Sequence, residues 1–143
     1  MKDHLDKLAV DFNTHSFIEN DPVQFPHQYS ERNDIEIVSF LVATIAWGKR
    51  SMILNSATKM LNIMGKSPYD FIMSDGFKNL DPNKCVHRTF FNRDLIYYCN
   101  GLKHIYNDYQ NIENVFAKDN NHDTWQGIHN FRDCIRQANN GVT

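Results

Sequence analysis

The sequence has no apolar run long enough to cross a membrane and no large excess of either charge. Its longest apolar stretch, residues 37–47, is interrupted by Ser39 and Thr44. It falls short of the ~20 residues that a membrane-spanning helix needs. The formal net charge is −2, which excludes a strongly basic coat for nucleic acid. We therefore expect no membrane contact, and any basic surface has to be local.

The chain has only three cysteines, an odd number: Cys85, Cys99 and Cys134. A chain of this length can fold without disulfides, so reduced thiols are expected. The first seven residues are charged and lack the apolar core of a signal peptide. These two features predict a cytoplasmic location.

The composition is that of an ordinary globular protein, with 41% apolar and 22% charged residues. A length of 143 residues suits one domain that can bury a real core. Because no segment has the alternating pattern of a strand, we predict an all-α fold in a single domain over residues 1–143. Six to seven helices are expected around a buried central helix at about residues 35–47.

The central helix is predicted because residues 35–47 are apolar nearly all round, which is typical of a helix surrounded by others. Asn33 or Asp34 is expected to cap it, and Gly48 to end it. A second helix is predicted from about Ser51 to Gly65. Its apolar residues have helical spacing: Ile53, Ala57, Met60, Leu61 and Met64.

Further helices are predicted on both sides of this pair. Residues 5–12 have helical spacing, and 13–33 are interpreted as an ordered loop anchored by Phe17, Ile18, Val23 and Phe25. A short helix enters through Pro68, and Asn92 is expected to cap a long helix that ends near Tyr109. A break at 120–122 precedes a last helix capped by Asp123 or Thr124, with one apolar face: Trp125, Ile128, Phe131 and Ile135.

Charge is spread unevenly along the chain. Residues 37–69 contain four Lys or Arg and no acid, and residues 84–104 contain four against Asp94 alone. In the first segment an aromatic residue and two cations stand where one helix ends and the next begins, a place suited to phosphate. The candidate residues for binding nucleic acid or phosphate are Trp47, Gly48, Lys49, Arg50, His87 and Arg88. The alternative is that the two basic segments are merely solvated and face different directions.

Common catalytic and cofactor motifs are absent, including GxxxxGK[ST], GxSxG and GxGxxG. Cys85 and His87, taken with Cys99 and His104, do not have a standard zinc spacing. We therefore predict no metal site and no cofactor, and we assign no catalytic residue. Whether the chain is an enzyme stays open, although it is not expected to be catalytically complete alone.

Five strings of the sequence carry a resemblance to a known family: residues 17–27, 34–37, 46–50, 67–72 and 87–90. In this order they resemble a bacterial family of uncharacterised conserved proteins, over most of residues 5–135. Members of that family are nearly twice this length. The resemblance therefore implies that this chain corresponds to an N-terminal portion of a longer architecture.

A more distant resemblance concerns residues 35–61, which are similar to the opening helices of helix-hairpin-helix DNA glycosylases. There the loop between two helices carries a Gln that fills the gap left by an extruded base. Here Gly48 stands nearest to that position, so Trp47 or Lys49 would have to replace the Gln. The hairpin motif and the segment that supplies the catalytic Asp are absent. The resemblance thus implies a nucleic-acid-binding helical domain, with DNA or RNA as partner, without the catalytic part.

Two other functions are weighed against this one. The chain could be a structural or protein-interaction domain that self-associates through the apolar surface left by a missing C-terminal half. It could also be a metal-dependent phosphohydrolase, because His104, His122-Asp123 and Asp133 resemble the ligand set of helical enzymes of that class.

Overall fold

The computed structural model describes residues 1–118 and 123–142. Eight α-helices lie in these residues: α1 Lys2–Phe12, α2 His15–Glu19, α3 Arg32–Thr44, α4 Arg50–Met64, α5 Pro68–Met73, α6 Asn92–Tyr109, α7 Ile112–Phe116 and α8 Thr124–Ala138. Three short 3-10 helices add to them: Pro22–Gln24, Pro26–Gln28 and Gly76–Asn79. The predicted all-α class is confirmed. The helices exceed the expected count because α2 forms in the segment interpreted as a loop.

Helix α3 is the central helix, but it lies three residues earlier than the predicted 35–47. Ile37, Val38 and Leu41 on it are fully buried. The prediction that Asn33 or Asp34 caps the helix is wrong, because both residues lie inside its first turn. Asp34 is itself buried, and its Oδ1 accepts hydrogen bonds from the Tyr69 N–H at 2.8 Å and the Ser67 hydroxyl at 3.2 Å. Its carboxylate therefore joins α3 to α5 instead of capping α3.

Helix α4 follows the sequence prediction closely. The five residues that it buries are the five predicted ones: Ile53, Ala57, Met60, Leu61 and Met64. It ends at Gly65, whose φ of 77° is in the left-handed region that favours glycine. Helix α5 then begins with Pro68, and the Ser67 hydroxyl accepts from the Asp70 N–H at 3.1 Å. Local signals therefore agree with the observed bounds of α4 and with the start of α5.

A small hairpin precedes α6, where no strand was predicted. Strand β1, Cys85–His87, pairs antiparallel with β2, Phe90–Phe91. The expected capping role of Asn92 is wrong, because Asn92 is the first residue of the helix and its amide donates to the Asp81 carbonyl at 2.9 Å. The Asp94 carboxylate instead accepts from the Phe91 N–H at 2.7 Å. The hairpin therefore leads directly into α6.

Helix α8 packs against α6 and α7 and is capped by Asp123, which accepts from the Trp125 N–H at 3.0 Å. The predicted apolar face is only half correct. Ile135 is buried, whereas Trp125 is 69% and Ile128 47% exposed. The first turns of α8 extend past the core, and Ile128 borders an open apolar groove that Phe116 and Phe131 also line. The predicted break at 120–122 lies outside the described residues.

The first part of the chain contributes little to the core. Helix α1 forms as predicted but buries no residue. Of the four predicted anchors in residues 13–33, only Phe25 is buried, while Phe17 and Val23 are more than a third exposed. No helix of the described residues is long and apolar enough to cross a membrane.

The cysteines differ sharply in access, which gives a direct test of the fold. Cys85 is exposed, whereas Cys99 and Cys134 are buried. Burial raises the pKa of the Cys99 thiol to about 12, so its reactive thiolate is rare at neutral pH. We expect a thiol reagent at pH 7.5 to label one cysteine rapidly in the native protein and all three in denaturant. Peptide mapping that found Cys99 labelled as fast as Cys85 would contradict this packing.

Candidate functional site

The two basic segments of the sequence meet in the fold. The loop between α3 and α4, residues 45–49, contacts the hairpin through the side chain of His87, which lies at the end of β1 just before the turn. His87 Nε2 lies 2.9 Å from the Trp47 carbonyl oxygen, and His87 Nδ1 lies 3.0 Å from Ser56 Oγ on α4. We call this meeting of the loop, the first turn of α4 and the hairpin turn the loop junction.

His87 has a positioning role at the loop junction. Its side chain is buried, with 2% exposed. Because the Trp47 carbonyl can only accept, Nε2 donates to it, while Nδ1 shares a hydrogen bond with the Ser56 hydroxyl. Both ring nitrogens are thus occupied. His87 was predicted as a contact residue, but this geometry places it beneath the surface, where it holds the loop to the hairpin.

Trp47 and Arg88 form the exposed part of the loop junction. The Arg88 guanidinium carbon lies 5.0 Å from the centroid of the Trp47 ring, within the range of a cation–π contact. The edge of the His87 ring meets the same indole, with centroids 5.1 Å apart. Trp47 is still 40% exposed. A planar cation and a large aromatic face are therefore presented together to solvent.

Gly48 allows this close approach. Its φ is 103°, and a Cβ added there would lie 2.8 Å from Nη1 of Arg88. The backbone angle favours glycine here, whereas the contact with the tip of the flexible Arg88 side chain could be relieved by a movement of that side chain. Arg88 is itself in the left-handed region, with φ of 52°, and the Cys85 thiol donates to its carbonyl at 3.2 Å. The Arg88 side chain thus occupies the space in which a residue larger than glycine would stand.

The start of α4 adds two more cations to the loop junction, beside Arg88. Lys49 occupies the N-cap position, and no side chain caps the helix. The N–H groups of Met52 and Ile53 bond to the Lys49 carbonyl, so within the described chain those of Arg50 and Ser51 have no acceptor. Both Lys49 and Arg50 are exposed. Free N–H groups and the positive end of the helix dipole favour an anion here.

Arg50 forms a long and partly exposed ion pair with Asp21. One carboxylate oxygen of Asp21 lies 3.9 Å from Arg50 Nη2, and the Arg50 side chain is 61% exposed. An exposed pair at this distance stabilises little. The guanidinium is thus available to a stronger anionic partner.

Two neighbouring residues of the loop, Trp47 and Gly48, line two different clefts. One, of about 470 Å³, is lined by Gly48 and Arg50 together with Asp21 and Ser39. The other, of about 440 Å³, is lined by Trp47 and by aromatic residues of the hairpin and α6. The loop junction is therefore bordered by one cleft with a cation and one with aromatic rings.

Sequence reasoning missed Ser56, Arg93 and Tyr97 at this site. Ser56 could have been found, because it lies three residues after Ile53 and one before Ala57 on the buried stripe of α4, where a polar side chain needs a partner. Arg93 and Tyr97 gave no comparable signal. They line the same cleft as Trp47 because the hairpin sets the position of the start of α6.

The residues that suggested a metal-dependent phosphohydrolase have other roles in the fold. His104 Nδ1 pairs with Asp108 at 3.2 Å, Asp133 pairs with Arg132 at 2.8 Å, and Asp123 caps α8. His122 lies outside the described residues. Among residues 1–118 and 123–142, no group of three His, Cys, Asp or Glu could hold a metal ion.

A family described as "Protein of unknown function (DUF2400)" matches residues 21–143 of the chain. The expected resemblance to an uncharacterised family is thereby confirmed. No curated protein and no solved structure matches the chain. The similarity to DNA glycosylases, the bacterial origin and the self-association stay predictions.

Proposed function

This chain belongs to the DUF2400 family of unknown function, and we propose that its loop junction binds the phosphate backbone of a nucleic acid. The observation that carries the proposal is the contact between the exposed Arg88 guanidinium and the partly exposed Trp47 ring, next to the start of α4, which no side chain caps. Two cationic segments that lie about 40 residues apart in the sequence are joined there by His87.

The chemistry of phosphate supports this assignment. Arg50 and Arg88 each present a planar guanidinium that can donate two parallel hydrogen bonds to phosphate oxygens. The free N–H groups at the start of α4 add donors that need no side chain. Such contacts position a nucleic acid without reading its sequence. The near-neutral whole chain is no obstacle, because Lys49, Arg50 and Arg88 give the loop junction a local excess of positive charge.

The proposal predicts a specific salt dependence. The affinity for a fluorescein-labelled 20-nucleotide DNA should fall linearly with salt on logarithmic axes, because each phosphate contact releases counterions. Arg50→Ala should reduce the slope by about one unit. Fluorescence anisotropy between low and physiological salt measures both quantities.

Lys59→Ala is the matched control for this experiment. Lys59 is an exposed cation on the same helix, about 13 Å further along its axis than Arg50 at the ordinary helical rise. Its replacement should leave the slope unchanged. Absence of binding to both single-stranded and duplex DNA and RNA at low salt would refute the proposed function.

A further inference from the structure

The cleft on the Trp47 side has the chemistry of a site for an unpaired base. Its main lining residues, which we call the aromatic cleft, are Trp47, Phe90, Arg93, Asp94, Tyr97 and Tyr98. Its volume of about 440 Å³ is within the range of pockets for small molecules. Thr89 and Val142 complete the lining, so four of the eight residues at the cleft are aromatic.

The rings are arranged from the interior to the surface. Phe90 is buried and stacks nearly parallel to the half-buried Tyr98, with centroids 6.1 Å apart. Burial raises the pKa of Tyr98 above its ordinary value. Trp47, 40% exposed, and the half-buried Tyr97 complete the aromatic lining. A base that entered the cleft would therefore meet aromatic surface at several depths.

Polar groups at the cleft can recognise the edge of a base or hold the adjoining phosphate. The Arg93 guanidinium lies 4.4 Å from the centroid of the Phe91 ring. This cation–π contact favours one orientation of the guanidinium. Asp94 uses one oxygen, Oδ2, for the Phe91 N–H. Its Oδ1 accepts no bond within the described residues and is left for an amino group.

Two hydrogen bonds join Tyr97 to the residues that follow α8. Its hydroxyl donates to the Val142 carbonyl at 2.9 Å, and the Asn139 amide donates to the Tyr97 carbonyl at 3.0 Å. Tyr97 therefore loses little conformational freedom when a ligand binds, which favours affinity.

Resting on the proposed function, we infer that the loop junction selects single-stranded nucleic acid, with one unpaired base stacked on Trp47 in the aromatic cleft. The backbone then follows Arg88 and the start of α4. In a duplex the same base is paired and stacked, and it reaches the cleft only at the energetic cost of extrusion. Single-strand binding proteins combine aromatic rings and cations in this way.

The test compares three DNA probes of equal length: a single-stranded oligothymidylate, the same backbone with all bases removed, and a duplex. The single strand should bind about 5- to 150-fold more tightly than the abasic strand, the range expected for one stacked base. It should also bind more tightly than the duplex. Trp47→Ala should bring the ratio between the single strand and the abasic strand close to one. Trp125→Ala, which removes the exposed tryptophan of α8, should leave that ratio unchanged.

The outcomes separate the inference from the function on which it rests. Equal binding of the single and abasic strands by the wild-type protein would overturn the base site and leave phosphate binding intact. Tighter binding of the duplex would overturn it as well. If no probe binds, the proposed function itself is refuted. Because these results come from wild-type protein, they do not depend on the folding of any variant.

Discussion

Replacement of His87 by alanine is expected to lower the free energy of unfolding by about 2–4 kcal/mol, because it combines a cavity with two lost hydrogen bonds. The ring is 2% exposed and is bonded to the Trp47 carbonyl and to Ser56 Oγ. Without it both partners lose their bond in partly buried surroundings. Denaturant unfolding followed by circular dichroism measures the change.

Two further variants separate the causes of this loss. His87→Phe fills the volume but cannot bond to either partner, so it should recover only the part of the loss that is due to packing. His27→Ala removes an exposed histidine and should change stability by less than about 0.5 kcal/mol. A His87→Ala protein as stable as His27→Ala would show that His87 does not join the loop to the hairpin.

The same substitution should weaken nucleic-acid binding more than stability alone explains. His87 is buried, so we expect it to act through the positions of Trp47 and Arg88. At a temperature where the variant is folded, we expect weaker binding of the single strand. His87→Phe should share this defect, because it also lacks the bond to the Trp47 carbonyl.

The second large effect is expected at Gly101, where α6 and α8 cross. A Cβ at this position would lie 2.9 Å from the Ile135 Cα and 2.3 Å from its Cδ1. The first of these atoms is backbone and cannot move alone. Gly101→Ala would gain about 1 kcal/mol of helix propensity, but overpacking costs about 1–3 kcal/mol and more when backbone is displaced. We therefore expect a net loss of about 1–2 kcal/mol.

Asn107→Ala is the control for the direction of the stability change at Gly101. Asn107 is exposed on the same helix, so alanine should be neutral or stabilising there by a few tenths of a kcal/mol. Unfolding experiments should thus move the two alanine variants in opposite directions. A stabilised Gly101→Ala protein would mean that α6 and α8 are further apart than described.

The sequence predicted best where one helix carries all of its own signals. Helix α4 has a regular apolar stripe and a glycine at its end, and both act locally. Asp34 failed as a cap because the same carboxylate could bond either to its own helix or to Ser67 and Tyr69 on α5. Tertiary contacts decide between such choices, and one sequence window does not contain them.

The sequence brought only some residues of the candidate site into view, and it did not indicate the role of His87. Proximity of helix ends and cations identified Lys49, Arg50 and Arg88, all of which are exposed. The burial of His87 could not be anticipated, because its two partners lie 31 and 40 residues away in the sequence. Trp125 shows the opposite case, because its helical spacing places it on the apolar face of α8 although it is 69% exposed and contacts the His129 ring.

The long separation of the partners of His87 has a thermodynamic consequence for ligand discovery. A chain in which those segments have come apart cannot present Trp47 and Arg88 together, so a ligand that needs both recognises the folded state alone. By mass action such a ligand raises the apparent stability by about 2.7 kcal/mol when it is present at 100 times its dissociation constant. A thermal-shift screen of nucleotides and short oligonucleotides therefore reports occupancy of this site without an assay for activity.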